Sequence, residues 1–378
     1  MKKIAILALH LGTGGIENSI ASLANILSKK YDVKIISTYK LNNEPSFFID
    51  DKVEIKYLIT KLKPNKEELK NAIKSKNIFK ILKELYISLK VLFLRKFLMK
   101  KEIKKLDSDI IISTRYFHNL LLGKYAKKGV IKIAQEHTHH NNDCKYINRV
   151  INSLKNIDYF MPVSKELTEF YYKKLKNTKT KCIYIPHSLE KYPDIVSNLQ
   201  EKNIISVGRL SPEKGFIDLI DIFKLVHDKH LDWKLNIVGD GSEKEKLIKK
   251  IEYYNLQDYI KLYGFLNRKE LENLYLKSSI YTMTSFTESF GLVLIEAESY
   301  GIPIVVMDSA KGALEIVNNN ENGIIINNRD KEEMVNKINY LIENIEERKR
   351  LGVNGRKNSK KYKKEIISNK WFKFIDSL

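Results

Sequence analysis

The sequence predicts an α/β chain of two doubly wound, parallel-sheet domains. Short runs rich in β-branched residues alternate with longer segments of helical periodicity, the pattern of parallel strands joined by crossover helices. The runs fall into two sets, each long enough for one domain, on either side of a stretch from Ser188 to Asn203 that holds Pro193 and no clear element. A length of 378 residues also suits two ordinary domains rather than one or four.

In order along the chain, the run Met1 to Leu9 mimics a signal peptide. Its apolar stretch stops at His10 with no small-residue cleavage site, so it reads as a buried first strand over Ile4–Leu9. Further strands are expected at Val33–Ser37, Ile110–Ser113, Ile131–Gln135, Tyr159–Val163 and Cys182–Ile185. The second set is Ile204–Val207, Lys234–Val238, Ile260–Leu262, Ile280–Thr284, Ile304–Met307 and Gly323–Ile326. Two segments depart from simple alternation. Between Lys61 and Lys105, Ile78, Ile81, Leu82, Leu85, Leu89, Leu92 and Phe93 recur at helical spacing with Lys80, Lys83, Lys90 and Lys96 interleaved. After the last strand, Tyr362–Leu378 forms a helical segment whose Trp371, Phe372 and Phe374 need a surface to bury against.

With 43% hydrophobic and 30% charged residues the chain is neither disordered, collagen-like nor a polytopic membrane protein. The apolar patch Val91–Leu94 is cut by Arg95 and Lys96, short of the roughly 20 residues of a spanning helix. The net charge is +21, and it is lopsided: residues 1–190 carry 37 basic and 18 acidic side chains, net +19, and the remainder only +2. Residues Lys61–Lys105 alone hold 15 basic and 4 acidic residues, net +11. The N-terminal half therefore meets something anionic, with nucleic acid, a phosphorylated substrate or a membrane surface as candidates. Two lone cysteines, Cys144 and Cys182, make no disulfide framework and point to a reducing compartment.

Three strand-to-helix junctions look built for phosphate. Gly12-Thr13-Gly14-Gly15-Ile16-Glu17 follows the first strand, where glycines let backbone amides approach an anion at a helix N-terminus; a plain tight turn reads equally well. In Val207 to Gly215, Ser211 reads as an N-cap with Pro212 at the first helical position, so that Arg209 and Lys214 converge on one anion or stand as two solvated cations. The third runs from Ser285 to Ala297: a strand ends, a loop presents Glu288, and a helix starts near Gly291 with Glu296 in its second turn. Among Phe290, Leu292, Val293, Leu294 and Ile295, Glu296 needs a hydrogen-bonding partner such as a polyhydroxyl ligand or backbone. The plainer reading is a capping acid and a surface acid. His137, His139, His140 and Cys144 suggest zinc, but a strand end followed by a polar loop supplies no second ligand pair, so no metal site is assigned.

Glu288, seven residues and then Glu296, followed by Gly301-Ile302-Pro303, resembles the donor site of retaining glycosyltransferases of family 4 with the GT-B fold. The resemblance extends to Ser206–Leu210 with Lys214-Gly215, Val238-Gly239-Asp240-Gly241, Tyr263-Gly264-Phe265, and Gly312 to Glu315 ahead of Asn322-Gly323, in order over residues 200–360. It is thinner in the first half, at Gly14-Gly15-Ile16-Glu17, Gln135-Glu136-His137 and Asp158 to Lys165. Pro186-His187-Ser188 departs from the family pattern, and His187 is assigned nothing.

The resemblance implies two Rossmann-like domains facing across a cleft: residues 1–188 for the acceptor, 200–361 for the nucleotide-sugar donor, and a final helix, 362–378, crossing back to the first domain. Arg209 and Lys214 hold the donor diphosphate with backbone amides at Gly291 and Leu292, Glu296 takes the ribose hydroxyls, Gly264 and Phe265 lie by the base, Gly14 and Gly15 close over the phosphates, and His137 and Glu288 contact the donor sugar. No cofactor is implied, because two cations and a helix dipole replace a metal ion. The implied activity is retaining, metal-independent hexosyl transfer, by acceptor attack on the leaving-group face or through a covalent adduct at Glu288. The expected donor is a UDP-hexose or UDP-N-acetylhexosamine. The expected acceptor is a lipid-linked glycan or polysaccharide in cell-surface glycan synthesis, on the inner, cytoplasmic face of an anionic membrane held through Lys61–Lys105. An ordinary helix with a solvated lysine face is the simpler reading of that segment, and nucleic acid trails for want of a reading module. The alternative is a catalytically silent GT-B subunit that activates a partner.

Overall fold

A computed structural model describes residues 1–378 and separates into two compact units. Unit 1 comprises Met1–Val163, Leu167–Ile185 and Ser368–Leu378; unit 2 comprises Ser164–Glu166 and Pro186–Ile367. No helix is long and apolar enough to cross a membrane.

Unit 1 contains, in chain order, β1 (Lys3–Ala8), α1 (Gly15–Leu27), β2 (Asp32–Tyr39), β3 (Glu54–Ile59), α2 (Lys66–Lys74), α3 (Ile78–Lys105), β4 (Ile110–Ser113), α4 (Tyr116–Tyr125), β5 (Ile131–Glu136), α5 (Cys144–Ser153), β6 (Tyr159–Pro162), α6 (Lys165–Leu175) and β7 (Lys181–Cys182). Its strands form one parallel sheet in the order β3-β2-β1-β4-β5-β6-β7. β1 is central, pairing Ile4 with Val33 on one side and Ile110 on the other, and buries every residue from Ile4 to Ala8. That double burial explains its unbroken apolar run. Sequence reading misses β3, whose Glu54-Ile55-Lys56-Tyr57-Leu58-Ile59 carries charge between its apolar residues because it is the edge strand.

Unit 2 contains β8 (Asn203–Val207), α7 (Phe216–Lys229), β9 (Lys234–Val238), α8 (Lys244–Tyr253), β10 (Ile260–Leu262), α9 (Arg268–Leu276), β11 (Ile280–Met283), α10 (Leu292–Ser299), β12 (Ile304–Met307), β13 (Gly323–Ile326), α11 (Lys331–Glu343) and α12 (Ile345–Ser359). The parallel order is β10-β9-β8-β11-β12-β13. Phe223 of α7 and Ile338 of α11 pack with Trp233, Ile237 and Val305 into one core on the sheet.

The last helix, α13 (Lys364–Asp376), lies mostly in unit 1. There the Phe372 ring meets Tyr31 edge-on at 5.9 Å, Phe374 meets Tyr159 at 5.2 Å, Tyr31 Oη donates to Asp376 Oδ1 at 2.8 Å, and Trp371 is buried.

Candidate active site

In unit 2 the strand order reverses between β8 and β11, so the loops leaving their carboxyl ends part company and leave room for a ligand. The chain after β8 corrects one expectation. Ser211 caps no helix: its hydroxyl donates to Glu213 Oε1 at 2.6 Å, Pro212–Lys214 makes a single 3-10 turn, and α7 starts only after Gly215, which takes the left-handed φ of 67° that glycine tolerates. The short turn is held against the β11 loop. Phe286 N donates to Glu213 O at 2.8 Å and Thr284 Oγ1 to Gly215 O at 2.9 Å. Across the junction Lys214 Nζ donates to Glu288 Oε2 at 2.5 Å, both side chains mostly shielded from solvent.

Arg209 is exposed at the end of β8; burial raises the Glu213 carboxyl, but Ser211, Lys214 and Arg209 together hold it low. Beyond Glu288, Gly291 turns the chain at φ 98° and α10 begins at Leu292 with no acid in its first turn. Its free amide end is a fixed positive pole, and Glu288 O is itself tied by Gly312 N at 2.9 Å. Glu296 lies one turn further on, half-buried, accepting from Tyr275 Oη at 3.3 Å. Burial pushes its carboxyl up to about 7, opposed by Arg268, while Glu190 and Glu272 add to the rise. Arg268 is in turn paired with Glu190 and with Glu272 at 2.9 Å.

The loop after β9 completes the rim. A Cβ on Gly239 would fall 1.9 Å from Gly208 O, so only glycine lets the β8 and β9 loops come this close. Gly239 N also donates to Gly264 O at 2.8 Å, which brings Gly264 beside the same loops and leaves Phe265 exposed.

Sequence reading missed three residues here. Arg329 donates to Thr284 O at 2.9 Å, Ser309 Oγ at 2.8 Å and Asp218 Oδ2 at 2.7 Å, and its guanidinium covers the Phe286 ring at 3.6 Å, so one cation staples the loops after β11 and β12 to α7. Glu298, fully buried, is satisfied by Asn322 Nδ2 at 2.6 Å and Asn358 Nδ2 at 3.0 Å and fixes the back of α10. The His187 ring meets Phe290 edge-on at 5.3 Å, and burial pushes it down to about 4. No local spacing joins any of these to its partners.

In unit 1 the reversal falls between β1 and β4. Gly14 precedes α1 and Gly15 opens it; a Cβ on Gly14 would fall 2.2 Å from Glu17 Oε2. Glu17 is buried in the first turn, accepting from Arg115 Nη2 at 3.2 Å, with His10 Nδ1 at 3.5 Å. Burial pulls His10 down; Glu17 opposes that and Arg115 adds to it. His137 stands half-buried directly after β5, next to the buried Glu136, which accepts from Thr138 N at 2.9 Å. His140 packs its ring on Phe170 at 4.2 Å, His139 Nδ1 lies 2.8 Å from Asn141 Oδ1, and Cys144 is exposed at the start of α5.

Residues 190–358 match the family model of glycosyl transferases group 1. An uncharacterized glycosyltransferase of Haemophilus influenzae is 29% identical over 381 residues, covering 98% of this chain and 99% of its own. The N-acetylgalactosamine-N,N'-diacetylbacillosaminyl-diphospho-undecaprenol 4-alpha-N-acetylgalactosaminyltransferase of Campylobacter jejuni is 26% identical over 99% of this chain and 100% of its own. Among solved structures, the pneumococcal O-GlcNAc transferase GtfA in complex with UDP and GlcNAc superposes with a TM-score of 0.78 at 15% identity, covering 100% of this chain and 99% of that one. The two parallel sheets are those of the GT-B fold, and the family match over residues 190–358 together with relatives along nearly the whole chain supports a glycosyltransferase.

Proposed function

We propose that the chain moves a hexose or N-acetylhexosamine from a UDP-sugar, with retention at the anomeric carbon and without a metal ion, onto a lipid-linked or polysaccharide acceptor in bacterial cell-surface glycan synthesis at the cytoplasmic face of the membrane. The observation that carries this reading is the Lys214–Glu288 pair beside the acid-free N-terminus of α10 at the strand-order reversal of unit 2. Support for a UDP donor comes from the UDP and GlcNAc named with the pneumococcal structure, and for a lipid-linked acceptor from the diphospho-undecaprenol in the Campylobacter enzyme's name.

In this reading Arg209, Lys214 and the amides at Gly291 and Leu292 hold the diphosphate and stabilise the negative charge that grows on it as the bond to the sugar breaks. Glu296 accepts hydrogen bonds from the ribose hydroxyls, and Gly264 and Phe265 flank the base. Glu288 orients the sugar hydroxyls while its bond to Lys214 fixes both groups. The bond from the anomeric carbon to the phosphate oxygen breaks, the acceptor hydroxyl attacks that carbon from the same face, and its proton passes to the departing phosphate.

A panel of UDP-hexoses and UDP-N-acetylhexosamines, assayed for donor hydrolysis and for transfer to an undecaprenyl-diphosphate glycan, tests the reading, with NMR assigning the anomeric configuration. Retained configuration and full rate in EDTA are expected. An inverted product, a glycosyl adduct on Glu288, or an EDTA-sensitive rate restored by magnesium each removes the corresponding part. No binding or turnover of any donor leaves the silent partner-activating subunit.

A further inference from the structure

α3 is apolar on two opposite sides, and only one of them has a partner. The inner side, Ile87, Val91, Leu94 and Leu98, packs on Tyr39 and Ile59 of the sheet. The outer side presents Phe79, Leu82, Tyr86, Leu89, Phe93 and Phe97, spaced three or four residues apart as one stripe along the helix. These are not grazing exposures: Phe79 is 86%, Tyr86 65%, and Leu89 and Phe93 each 67% open. From Ile78 to Phe97 every exposed side chain is an apolar or aromatic residue or a lysine.

The two acids of this helix are both spent inward. Glu84 Oε2 accepts from Asn65 Nδ2 at 2.6 Å, and Glu102 accepts from Lys56 Nζ at 2.7 Å. The outer face is left with Lys80, Lys83, Lys90 and Lys96 beside the stripe and no carboxylate. A helix meant for water would mix acids and amides into that face, and a contiguous apolar patch of this kind marks an interaction surface.

We propose that α3 lies flat in the interface of an anionic lipid bilayer, burying this stripe among the acyl chains while the lysines reach the headgroups. Its 28 residues make a rod of about 42 Å, and lysine at nearly every turn keeps it in the plane instead of across it. Lysine stems add apolar length to the stripe and bring the ammonium groups up to the phosphates. Charge decides between this occupant and a second copy of the chain: a two-fold interface on the same face sets lysines of one copy against lysines of the other with no acid between, whereas anionic lipid neutralises them. The inference is independent of the sugar-transfer chemistry.

Flotation of the full chain on vesicles of phosphatidylcholine alone and with 30% phosphatidylglycerol tests it, with thermal melting and the UDP-induced melting shift read in parallel on unit 2. Binding to the anionic vesicles only, weakened by salt, is expected. Reversing Lys80, Lys83, Lys90 and Lys96 to Glu should lower the partition coefficient by at least about two orders of magnitude. Phe79→Gln, Leu89→Gln and Phe93→Gln together should abolish flotation with the lysines intact. Both variants should melt and respond to UDP as the parent does, since the substituted side chains touch no core. Parental flotation of either variant, equal flotation on both vesicle types or none on either, or a lipid-free dimer that the Gln variant dissociates, would overturn the proposal.

Discussion

The reversal points of the two sheets use the same parts to opposite electrostatic effect. Each places a glycine turn, a helix N-terminus and a carboxylate–cation pair at the carboxyl ends of neighbouring central strands. In unit 1 the acid, Glu17, belongs to the first turn of its own helix, so the positive end of α1 is already answered from within, and Arg115 and His10 close around that acid. In unit 2 the acid, Glu288, comes before Gly291, and the first turn of α10 is Leu292, Val293 and Leu294, with no charge. α10 therefore keeps its dipole for an outside anion, and α1 does not. Topology alone leaves the two reversal points alike; the position of one carboxylate relative to a helix start sets them apart.

The comparison breaks most sharply at the cations. In the proposed site Lys214→Ala removes the charge assigned to the departing diphosphate and leaves Glu288 without its 2.5 Å partner, so kcat should fall by about 10²–10³. A drop confined to KM in steady-state kinetics would mean that Lys214 binds substrate and transition state alike, contrary to this assignment. In unit 1 the corresponding change should act on folding. Glu17→Ala strands Arg115 and His10 around a lost acid and should cost about 2 kcal/mol, read as a lower denaturation midpoint, with Arg115→Ala in the same background costing little more. Equal, additive losses would show that the pair is not one unit.

What the sequence discloses follows the same division. The grouping of the proposed donor-side residues is legible because their spacing is local: Glu288 and Glu296 flank one helix start, and Arg209 and Lys214 one turn. Arg115 and Glu17 lie 98 residues apart, and Arg329 reaches 111 residues back to Asp218; no window of sequence chooses those partners. The central strands are legible because they are buried on both faces, whereas β3 at the edge is masked by its own charges. The spacing in α3 discloses a helix with an apolar stripe, but two such stripes run along it, and only the sheet beneath decides which one is covered. Ser211-Pro212 gives the signature of a helix start and makes a single 3-10 turn, because Gly215 takes the chain into the left-handed region before α7 can form.

Glu296 sharpens the comparison through pH. Burial raises its carboxyl to about 7, so near neutrality it is partly protonated, while the ribose hydroxyls of the proposed donor are best accepted by the ionised carboxylate. The kcat/KM for donor should therefore climb as pH rises through that value, about tenfold between pH 6 and 8, and then level off. Glu296→Gln should give a lower and flat profile. An unchanged slope in that variant would assign the titration to another group.

The smallest effect tests the electrostatic argument most directly, because it moves the unit 1 arrangement into unit 2. Val293 is half-buried in the first turn of α10, one position before the place that Glu17 takes in α1. Val293→Glu supplies that helix with an acid of its own and should weaken UDP binding by about fivefold, the 1 kcal/mol scale of a charge at a helix end. Val293→Gln has nearly the same shape without the charge and should leave the affinity near the parent's in calorimetry at low salt. The gap between the two variants should narrow as salt is raised, because a charge at a half-exposed helix end is screened. If Gln weakens UDP as much as Glu does, the loss is one of packing, and the acid-free first turn of α10 is not what distinguishes the two sheets.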